Sequence, residues 1–276
     1  MSEFSVVTIN ILNDFSHWNR RRQLIVDQLT ELNPDLIALQ EVAMKGKSSN
    51  AHWLADELNR HKDEDENLYN VYLCPKTGAK KDEEGIAILC RLQVKRHEIL
   101  DLLTQNRVAQ LVEFRIDDEI VLLVNGHFFW GPDDAGERNA QIELLLDWLD
   151  TQPADVPVVV VGDFNGVPGS KAIQTMRQYF DSAHRAIHDE EPEYTCPTPL
   201  PSSPRVQLRA LGGWLLGKRD KPDPDWRGTL DYIFVDPRLH TTECEVVLNQ
   251  PDPTDENIYP SDHFGLYAAF DTKPYD

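Results

Sequence analysis

The stretch Val158–Asn165, VVVVGDFN, decides the fold. A run of apolar β-branched residues is typical of a strand that is buried on both faces. Gly162 follows the run and allows a sharp turn, because glycine adopts backbone angles that other residues avoid. Asp163 and Asn165 stand at that turn, where sheets covered by helices place ligands and chemistry. A carboxylate there can bind a metal or take a proton from water, and an amide can donate to an anionic oxygen. The alternative is that Asp163 only caps the turn.

Composition and charge limit the class of protein. A chain of 276 residues, 41% of them apolar, is long enough to bury a sizeable core. We expect a single domain over residues 1–276, because no linker or repeat interrupts the sequence. The formal charge of −20 gives no electrostatic help in binding nucleic acid or an anionic membrane. A phosphate substrate stays compatible with this charge, because a cation bound by clustered acids reverses the local sign.

The first residues predict an intracellular protein, and the cysteines neither require nor exclude disulfides. Cys74, Cys90, Cys196 and Cys244 show no CxxC spacing, so a zinc site is not indicated. The first residues, MSEFSVVTINIL, lack the basic and then apolar layout of a secretion signal. No apolar run reaches the length that spans a bilayer. We therefore predict a cytoplasmic location, and the sequence shows no sign of an obligate protein partner.

The order of predicted elements indicates two sheets. The N-terminal part predicts a strand, a helix and a strand, which is typical of a βαβ unit. A run of consecutive strands then follows, with a hairpin turn at Asp117–Glu119, unlike a purely alternating α/β fold. The predicted strands are Phe4–Leu12, Asp35–Val42, Tyr69–Leu73, Gly85–Cys90, Leu92–Leu100, Val108–Ile116, Ile120–Val124, Thr229–Val235, Cys244–Leu248 and Phe264–Phe270. The predicted helices are Trp18–Leu32, Ala51–Arg60, Asp134–Leu149 and Lys171–Tyr179.

Polar residues recur where these apolar strands end. The set contains acids suited to Mg²⁺, which prefers oxygen ligands, together with histidines and amides suited to a charged phosphate. Each member also has a structural alternative: a loop cap for Glu41, a satisfied half-buried ring for His127, an edge-strand acid for Asp231. Zinc is again not indicated, since no histidine pair has the HExxH spacing. The set is Asn10, Glu41, His127, Asp163, Asn165, Asp231, Asp262 and His263.

The ordered set of motifs resembles the endonuclease/exonuclease/phosphatase superfamily. The motifs span nearly the whole chain and occur in the family's order. The resemblance implies an α+β fold, a four-layer α/β/β/α sandwich of two packed mixed sheets with outer helices. Its active site would lie where strand ends from both sheets meet. The motifs are TIN at 8–10, LQEV at 39–42, EGIAILCR at 84–91, NGHF at 125–128, GDFN at 162–165, LDYIFV at 230–235 and SDHFGL at 261–266.

The resemblance implies a metal site and a partner for one histidine. Glu41 resembles the family's principal Mg²⁺ ligand, with Asn10 beside it and Asp262 as a second metal or water ligand. Mn²⁺ is the expected substitute for Mg²⁺. His127 resembles a histidine of the deoxyribonuclease-like and sphingomyelinase-like branches. Glu84 is its expected partner and a substrate-side residue.

The resemblance also implies the catalytic roles. Asp163 resembles the acid that orients and deprotonates the attacking water, and Asn165 resembles a donor to a phosphate oxygen. His263 resembles the histidine opposite the metal. Asp231 resembles the acid that fixes the tautomer of this histidine and keeps it charged.

The reaction that we expect is hydrolysis of a phosphodiester, with a nuclease as the leading function and DNA or RNA as the substrate. A phosphomonoesterase or a lipid-headgroup hydrolase of the same superfamily is the first alternative. A non-catalytic binding module with the same fold is the second. The segment Arg205–Arg227 mixes apolar and basic residues, so it could contact a lipid surface or a single strand. The alternative is a helix that packs on the sheet. Arg138 and Gln141 match an Arg-x-x-Gln pattern for which a structural role is expected.

Overall fold

Two six-stranded sheets form the centre of the chain in a computed structural model that describes residues 3–44, 49–63, 66–131, 136–203, 223 and 225–272. The first sheet contains β1 (Glu3–Asn10), β2 (Leu36–Ala43), β3 (Asn70–Pro75), β4 (Glu84–Cys90), β11 (His240–Val247) and β12 (Gly265–Asp271). The second contains β5 (Gln93–Asp101), β6 (Val108–Ile116), β7 (Glu119–His127), β8 (Val158–Asp163), β9 (Asp181–Ser182) and β10 (Asp231–Val235). The α-helices in these ranges are α1 (Trp18–Leu32), α2 (Asn50–Arg60), α3 (Gly136–Leu149), α4 (Lys171–Met176) and α5 (Ala183–His188).

Both sheets are mixed, and each has one parallel pair near its middle. The first runs β11-β12-β1-β2-β4-β3, and β1 is parallel to β2. The second runs β5-β6-β7-β8-β10-β9, and β7 is parallel to β8. Because parallel neighbours end at the same edge of a sheet, residues at the carboxyl ends of these four strands gather at one side of the molecule. Asn10 ends β1, His127 ends β7 and Asp163 ends β8.

The four layers follow from the alternation of side chains along the strands. On β1, Val6 faces the core between the two sheets, whereas Val7 and Ile9 pack against Ile25 of α1. On the second sheet, Val160 packs under Ile142 of α3. Successive strand residues point to opposite faces, so each central strand fills two cores. Burying one such side chain stabilises the fold by about 1.5–3 kcal/mol. The predicted sandwich is confirmed.

The strand that decides the fold differs from its prediction in one respect. All residues of β8 are buried, as the apolar run indicates, but the strand continues through Gly162 to Asp163. Gly162 has φ of +138°, and a Cβ there would lie 2.0 Å from the carbonyl oxygen of Gly126 on β7. The glycine therefore allows the close approach of two strands. The turn follows at Asn165, whose φ is +51°.

Most other predicted elements shift only at their ends. The hairpin turn at Asp117–Glu119 is confirmed by the pairing of Ile116 with Glu119 across β6 and β7. The short α5 and β9 carry little apolar periodicity and were not predicted. The segment Arg205–Arg227 lies largely outside the described residues. The single-domain organisation stays a prediction. No helix in the described part of the chain combines the length and apolar character that a membrane span requires.

Candidate functional site

A cleft of about 330 Å³ opens at the strand ends where the two sheets meet. Most of the predicted site residues line this cleft, and three residues that were not predicted line it as well. Asp231 lies directly behind His263, and Asp262 is not among the lining residues. The lining residues are Asn10, Glu41, Lys76, Glu84, Arg107, His127, Trp130, Asp163, Asn165 and His263.

Strand register places His127 and Asp231 on either side of Asp163 in the second sheet. Asp163 pairs with His127 across the parallel β7–β8 ladder and with Asp231 across the antiparallel β8–β10 ladder. Asn10 comes from the other sheet, and its Nδ2 donates to Asp163 Oδ2 at 3.0 Å. The deciding stretch therefore places its carboxylate at the centre of the site, held from both sheets.

Asp163 is an ionised carboxylate with several donors around it. Besides Asn10, the backbone N–H of Asn165 donates to Asp163 Oδ1 at 2.9 Å, and Nε2 of His127 lies 3.4 Å from Oδ2. Burial raises the pKa of Asp163, but the hydrogen bond with His127 and the positive charge of His263 outweigh it, so the pKa falls well below its usual value. Such a carboxylate orients a water molecule well by accepting its hydrogen bond. The turn-cap alternative is also realised, because Asn165 N–H binds Oδ1.

His263 forms an ion pair with Asp231. Its Nδ1 donates to Asp231 Oδ2 at 2.8 Å, and Thr195 Oγ1 donates to the same oxygen at 2.6 Å. Burial lowers the pKa of His263, but the negative charge of Asp231 outweighs this effect and raises it well above its usual value. The ring is therefore an imidazolium whose Nε2 is its other donor. Asp231 is fully buried between β8 and β9, so the edge-strand alternative is wrong.

His127 has a positively charged partner, whereas the partner of His263 is negatively charged. Arg107 Nη1 lies 2.6 Å from His127 Nδ1. Burial, followed by the positive charge of Arg107, lowers the pKa of His127 despite the neighbouring Asp163. Glu84, the expected partner, instead forms an ion pair with Lys76 and lies 3.7 Å from Arg107 Nη1. The guanidinium of Arg107 occupies the Nδ1 side of the ring, and the partnership of Glu84 with His127 stays a prediction.

Glu41 is held in an unusual backbone conformation at the end of β2. Its φ is +55°, and the ladder between β2 and β4 shifts register between Leu39 and Val42. A left-handed conformation in a residue other than glycine costs about 1–3 kcal/mol and is concentrated at functional sites. Glu41 Oε2 accepts a hydrogen bond from the Asn13 N–H at 3.0 Å, which fixes the carboxylate in the cleft. This bond agrees with the loop-cap alternative and is compatible with a ligand role.

The oxygen atoms of the cleft fit a divalent cation. Glu41 offers a half-buried carboxylate, and hard cations such as Mg²⁺ take oxygen ligands. Asn10 is engaged on both sides, since its Oδ1 accepts from the Leu12 N–H and its Nδ2 donates to Asp163. Asp262 interacts electrostatically with Glu41. Burial is the main cause that raises the pKa of Asp262.

A second group of possible ligands lies deeper in the site. One ligand atom from each of Asp163, Asp231 and His263 lies within 4.8 Å of the others. Asp231 Oδ1 is buried and has no hydrogen-bond partner among the described residues. The ring of His263 is committed to the ion pair with Asp231, however, and an imidazolium cannot ligate a metal through a protonated nitrogen. We therefore favour the Glu41 side of the cleft for the cation.

The Arg-x-x-Gln pair supports the wall of the site. Arg138 Nε donates to the carbonyl oxygen of Phe129 at 3.1 Å. Gln141 Oε1 accepts from the Phe129 N–H at 2.6 Å, and its Nε2 donates to the carbonyl oxygens of Leu102 and Thr104. These bonds tie the segment after β7 to α3 and to the loop before β6. The expected structural role is confirmed.

Some residues of the site could not be recognised from their own sequence context. Thr195 lies in an irregular Pro- and Ser-rich segment that offered no signal. Arg107 could have been found from the predicted hairpin, because the antiparallel register of β6 and β7 pairs Ala109 with Gly126 and so brings Arg107 near His127.

Comparison with known proteins shows the family. The model of a family described as "Endonuclease/Exonuclease/phosphatase family" matches residues 7–263. The chain belongs to this family. Protein angel of Drosophila melanogaster is 27% identical over 204 residues, covering 63% of this chain and 55% of that protein. Carbon catabolite repressor protein 4 homolog 4 of Arabidopsis thaliana is 27% identical over 189 residues, covering 62% and 43%. The chain thus spans about half the length of these curated relatives.

The fold is also shared with a solved structure. D. rerio TDP2 complexed with single-strand DNA product superposes with a TM-score of 0.74, covering 99% of this chain and 100% of that one at 17% identity. At this identity the likeness shows the fold alone, which is the four-layer sandwich.

Proposed function

We propose that this member of the Endonuclease/Exonuclease/phosphatase family hydrolyses phosphodiesters with the help of a divalent cation, and that its substrate is a nucleic acid. One observation carries the proposal. An ionised carboxylate, Asp163, and an imidazolium, His263, face the same cleft from strands and loops of both sheets. The negative group can accept a hydrogen bond from water, and the positive group can donate to the oxygens of a phosphate.

Each residue of the cleft has a different role in in-line hydrolysis. Asp163 accepts the hydrogen bond of the attacking water, and Asn10 keeps its carboxylate in place. His263 donates from Nε2 to an oxygen of the five-coordinate phosphorus centre as negative charge develops there. Asn165 is the second donor to the phosphate; its Nδ2 also donates to the carbonyl oxygen of Phe128 at 3.3 Å.

Glu41 is the residue that we assign to Mg²⁺, with Asn10 and Asp262 in supporting positions. When bound there, Mg²⁺ would supply positive charge that neutralises the developing negative charge of the phosphate. Mn²⁺, with similar oxygen preference, is the expected substitute.

A nucleic acid is the preferred substrate because of what the related proteins bind or are named for. TDP2 of D. rerio, which at 17% identity shares the fold alone, holds a single-strand DNA product, and a further relative of Mus musculus is named 2',5'-phosphodiesterase 12. The net charge of −20 works against tight binding to a long polyanion. We therefore propose short or single-stranded substrates. The phosphomonoesterase or lipid-headgroup alternative stays open, and a lipid surface has no supporting observation among the described residues.

The test compares substrates and variants under one set of conditions. Supercoiled plasmid, a single-stranded DNA, an RNA oligonucleotide, bis(4-nitrophenyl) phosphate, sphingomyelin and an inositol phosphate are incubated with Mg²⁺ or with chelator. Wild type is compared with His263→Ala, and His61→Ala is the matched control because His61 is an exposed residue at the end of α2. We expect chelator-sensitive cleavage of nucleic acid by wild type and His61→Ala only.

The other outcomes of this test each have a distinct meaning. Cleavage of sphingomyelin or an inositol phosphate alone would replace nuclease with the lipid-headgroup alternative. Equal activity of wild type and folded His263→Ala would contradict the role of His263. No hydrolysis of any of the substrates would favour the non-catalytic binding module.

A further inference from the structure

The contact between Arg107 and His127 determines which nitrogen of the imidazole carries the proton. Arg107 Nη1 lies 2.6 Å from His127 Nδ1, and both side chains are buried. A guanidinium has only donors and no acceptor. His127 Nδ1 must therefore accept this hydrogen bond through its lone pair, which places the single ring proton on Nε2.

The alternative protonation states do not fit the same contact. An Nδ1–H tautomer would point its proton at the N–H of Arg107, and an imidazolium would add a second positive charge at the same distance. Two donors facing each other at 2.6 Å in a buried site leave both unsatisfied, which is costly. Burial and the charge of Arg107 lower the pKa of His127, in agreement with a neutral ring.

Arg107 also interacts with an acidic side chain of the cleft. Glu84 Oε1 lies 3.7 Å from Arg107 Nη1, and the same carboxylate pairs with Lys76. Asn13 Nδ2 contacts Glu84 Oε2 at 3.4 Å. Glu84, the predicted partner of His127, thus interacts with Arg107 and orients its guanidinium.

We propose that Arg107 is a positioning residue that holds His127 as a neutral imidazole with its proton on Nε2, directed at Asp163. The inference rests on the proposed function in one respect, the effect on turnover. His127 Nε2 lies 3.4 Å from Asp163 Oδ2, a distance that permits a weak contact and leaves the N–H available to a water or phosphate oxygen.

The arrangement has a chemical consequence for Asp163. A second imidazolium beside this carboxylate would lower its proton affinity further and make it a poorer acceptor for the proton of water. Arg107 prevents this by making the ring neutral while still leaving one donor. The site then contains one charged histidine, His263, to stabilise the phosphate, and one neutral histidine, His127, to orient hydrogen bonds around Asp163.

The direct test is ¹⁵N NMR of the histidine side chains in the metal-free protein at neutral pH. Resonances of His127 are assigned by comparison with His127→Gln. In wild type we expect a non-protonated Nδ1 and a protonated Nε2. In Arg107→Met, which removes the donor at similar length, we expect a tautomer mixture or an imidazolium. Arg107→Lys retains a donor and should restore the Nε2–H form.

Turnover provides the second readout. For Arg107→Met we expect kcat to fall about 10- to 100-fold, the usual effect of removing a residue that orients a ligand or catalytic histidine, with KM little changed. Arg107→Lys should recover most of the loss. Arg115→Met is the matched control, because Arg115 lies on β6, the strand that directly follows Arg107, but pairs with the exposed Asp118.

The outcomes separate this inference from the proposed function. A wild-type His127 with its proton on Nδ1, or an imidazolium, would overturn the inference whatever the activity. A tautomer unchanged in folded Arg107→Met would also overturn it. If no substrate is hydrolysed but the NMR results are as expected, the proposed function fails and the role of Arg107 in positioning His127 stands.

Discussion

The two histidines of the cleft have similar positions in the sequence, but their partners in the fold carry opposite charges. His127 ends a buried strand, and His263 comes just before one. Arg107 contacts Nδ1 of the first, and Asp231 binds Nδ1 of the second at 2.8 Å. Burial lowers the pKa of both rings. The charge of Arg107 adds to this effect, whereas the charge of Asp231 reverses it. The same side chain is thus neutral in one position and charged in the other.

The partner of Nδ1 therefore determines the role of each ring. A carboxylate on Nδ1 makes a cation suited to phosphate, and a guanidinium on Nδ1 makes a neutral donor suited to a water or a carboxylate. Substituting one partner at a time should therefore change the charge of one ring and leave the other ring as it is.

Asp231→Asn should have the largest effect. Losing the negative charge removes the cause of the raised pKa of His263, so the ring becomes neutral and its tautomer is no longer fixed. By analogy with other Asp–His pairs, we expect kcat to fall by about 10³–10⁴. Steady-state hydrolysis of the best substrate measures this effect. Asp118→Asn, at an exposed position in the β6–β7 turn, is the control. A change of less than tenfold in kcat for folded Asp231→Asn would contradict the assignment.

Glu41→Gln should cause the second-largest loss of activity, and this loss should depend on the metal concentration. Weakening the carboxylate ligand removes several kcal/mol of charge stabilisation at the phosphate, about 10²–10³ in rate. The activity of this variant should require much higher Mg²⁺ or Mn²⁺, which a titration of rate against metal concentration measures. Asp231→Asn should leave that concentration dependence unchanged. An unshifted metal dependence in Glu41→Gln would place the cation elsewhere, with the group around Asp163 as the next candidate.

Thr195→Val should have a smaller effect on the same ion pair. It removes the 2.6 Å hydrogen bond to Asp231 Oδ2 and the acceptor for the Leu230 N–H. A hydrogen bond to a charged group contributes about 1.5–3 kcal/mol, so we expect a loss of that order in the free energy of unfolding. Urea denaturation monitors it. Thr151→Val, which removes an exposed hydroxyl bonded to the Trp148 carbonyl oxygen, should change stability far less.

The pH dependence of stability should show the smallest effect, with opposite signs for the two rings. His127 has a lowered pKa, so the unfolded chain takes up its proton first. Stability is lost as pH falls below the unfolded value, about 6.5. His263 has a raised pKa, so its contribution is present below about 6.5 and is lost as pH rises towards its folded value.

Urea unfolding of metal-free protein from pH 5.5 to 8.5 tests these signs. Each ring contributes a slope of at most about 1.4 kcal/mol per pH unit. His127→Gln should remove the loss on the acid side only, and His263→Gln the loss on the alkaline side only. The same change in slope for both variants would mean that the two rings do not differ in charge.

The sequence by itself determined the strand ends and the residue types that stand there. The apolar run of Val158–Val161 fixes a central buried strand, because only that burial is favourable for consecutive β-branched residues. The family motifs determined the four-layer fold and the set of polar side chains. The roles assigned to individual residues stay predictions.

Tertiary structure decided the partners, since these come from distant parts of the chain. Asn10 and Asp163 are 153 positions apart, and His263 and Asp231 are 32 apart. Local patterns reflect the burial of a residue and the spacing of its neighbours, whereas the charge of a histidine depends on which group meets its Nδ1. For His127 that group is Arg107, placed by the register of a hairpin, and for His263 it is Asp231, placed by a strand of the opposite sheet.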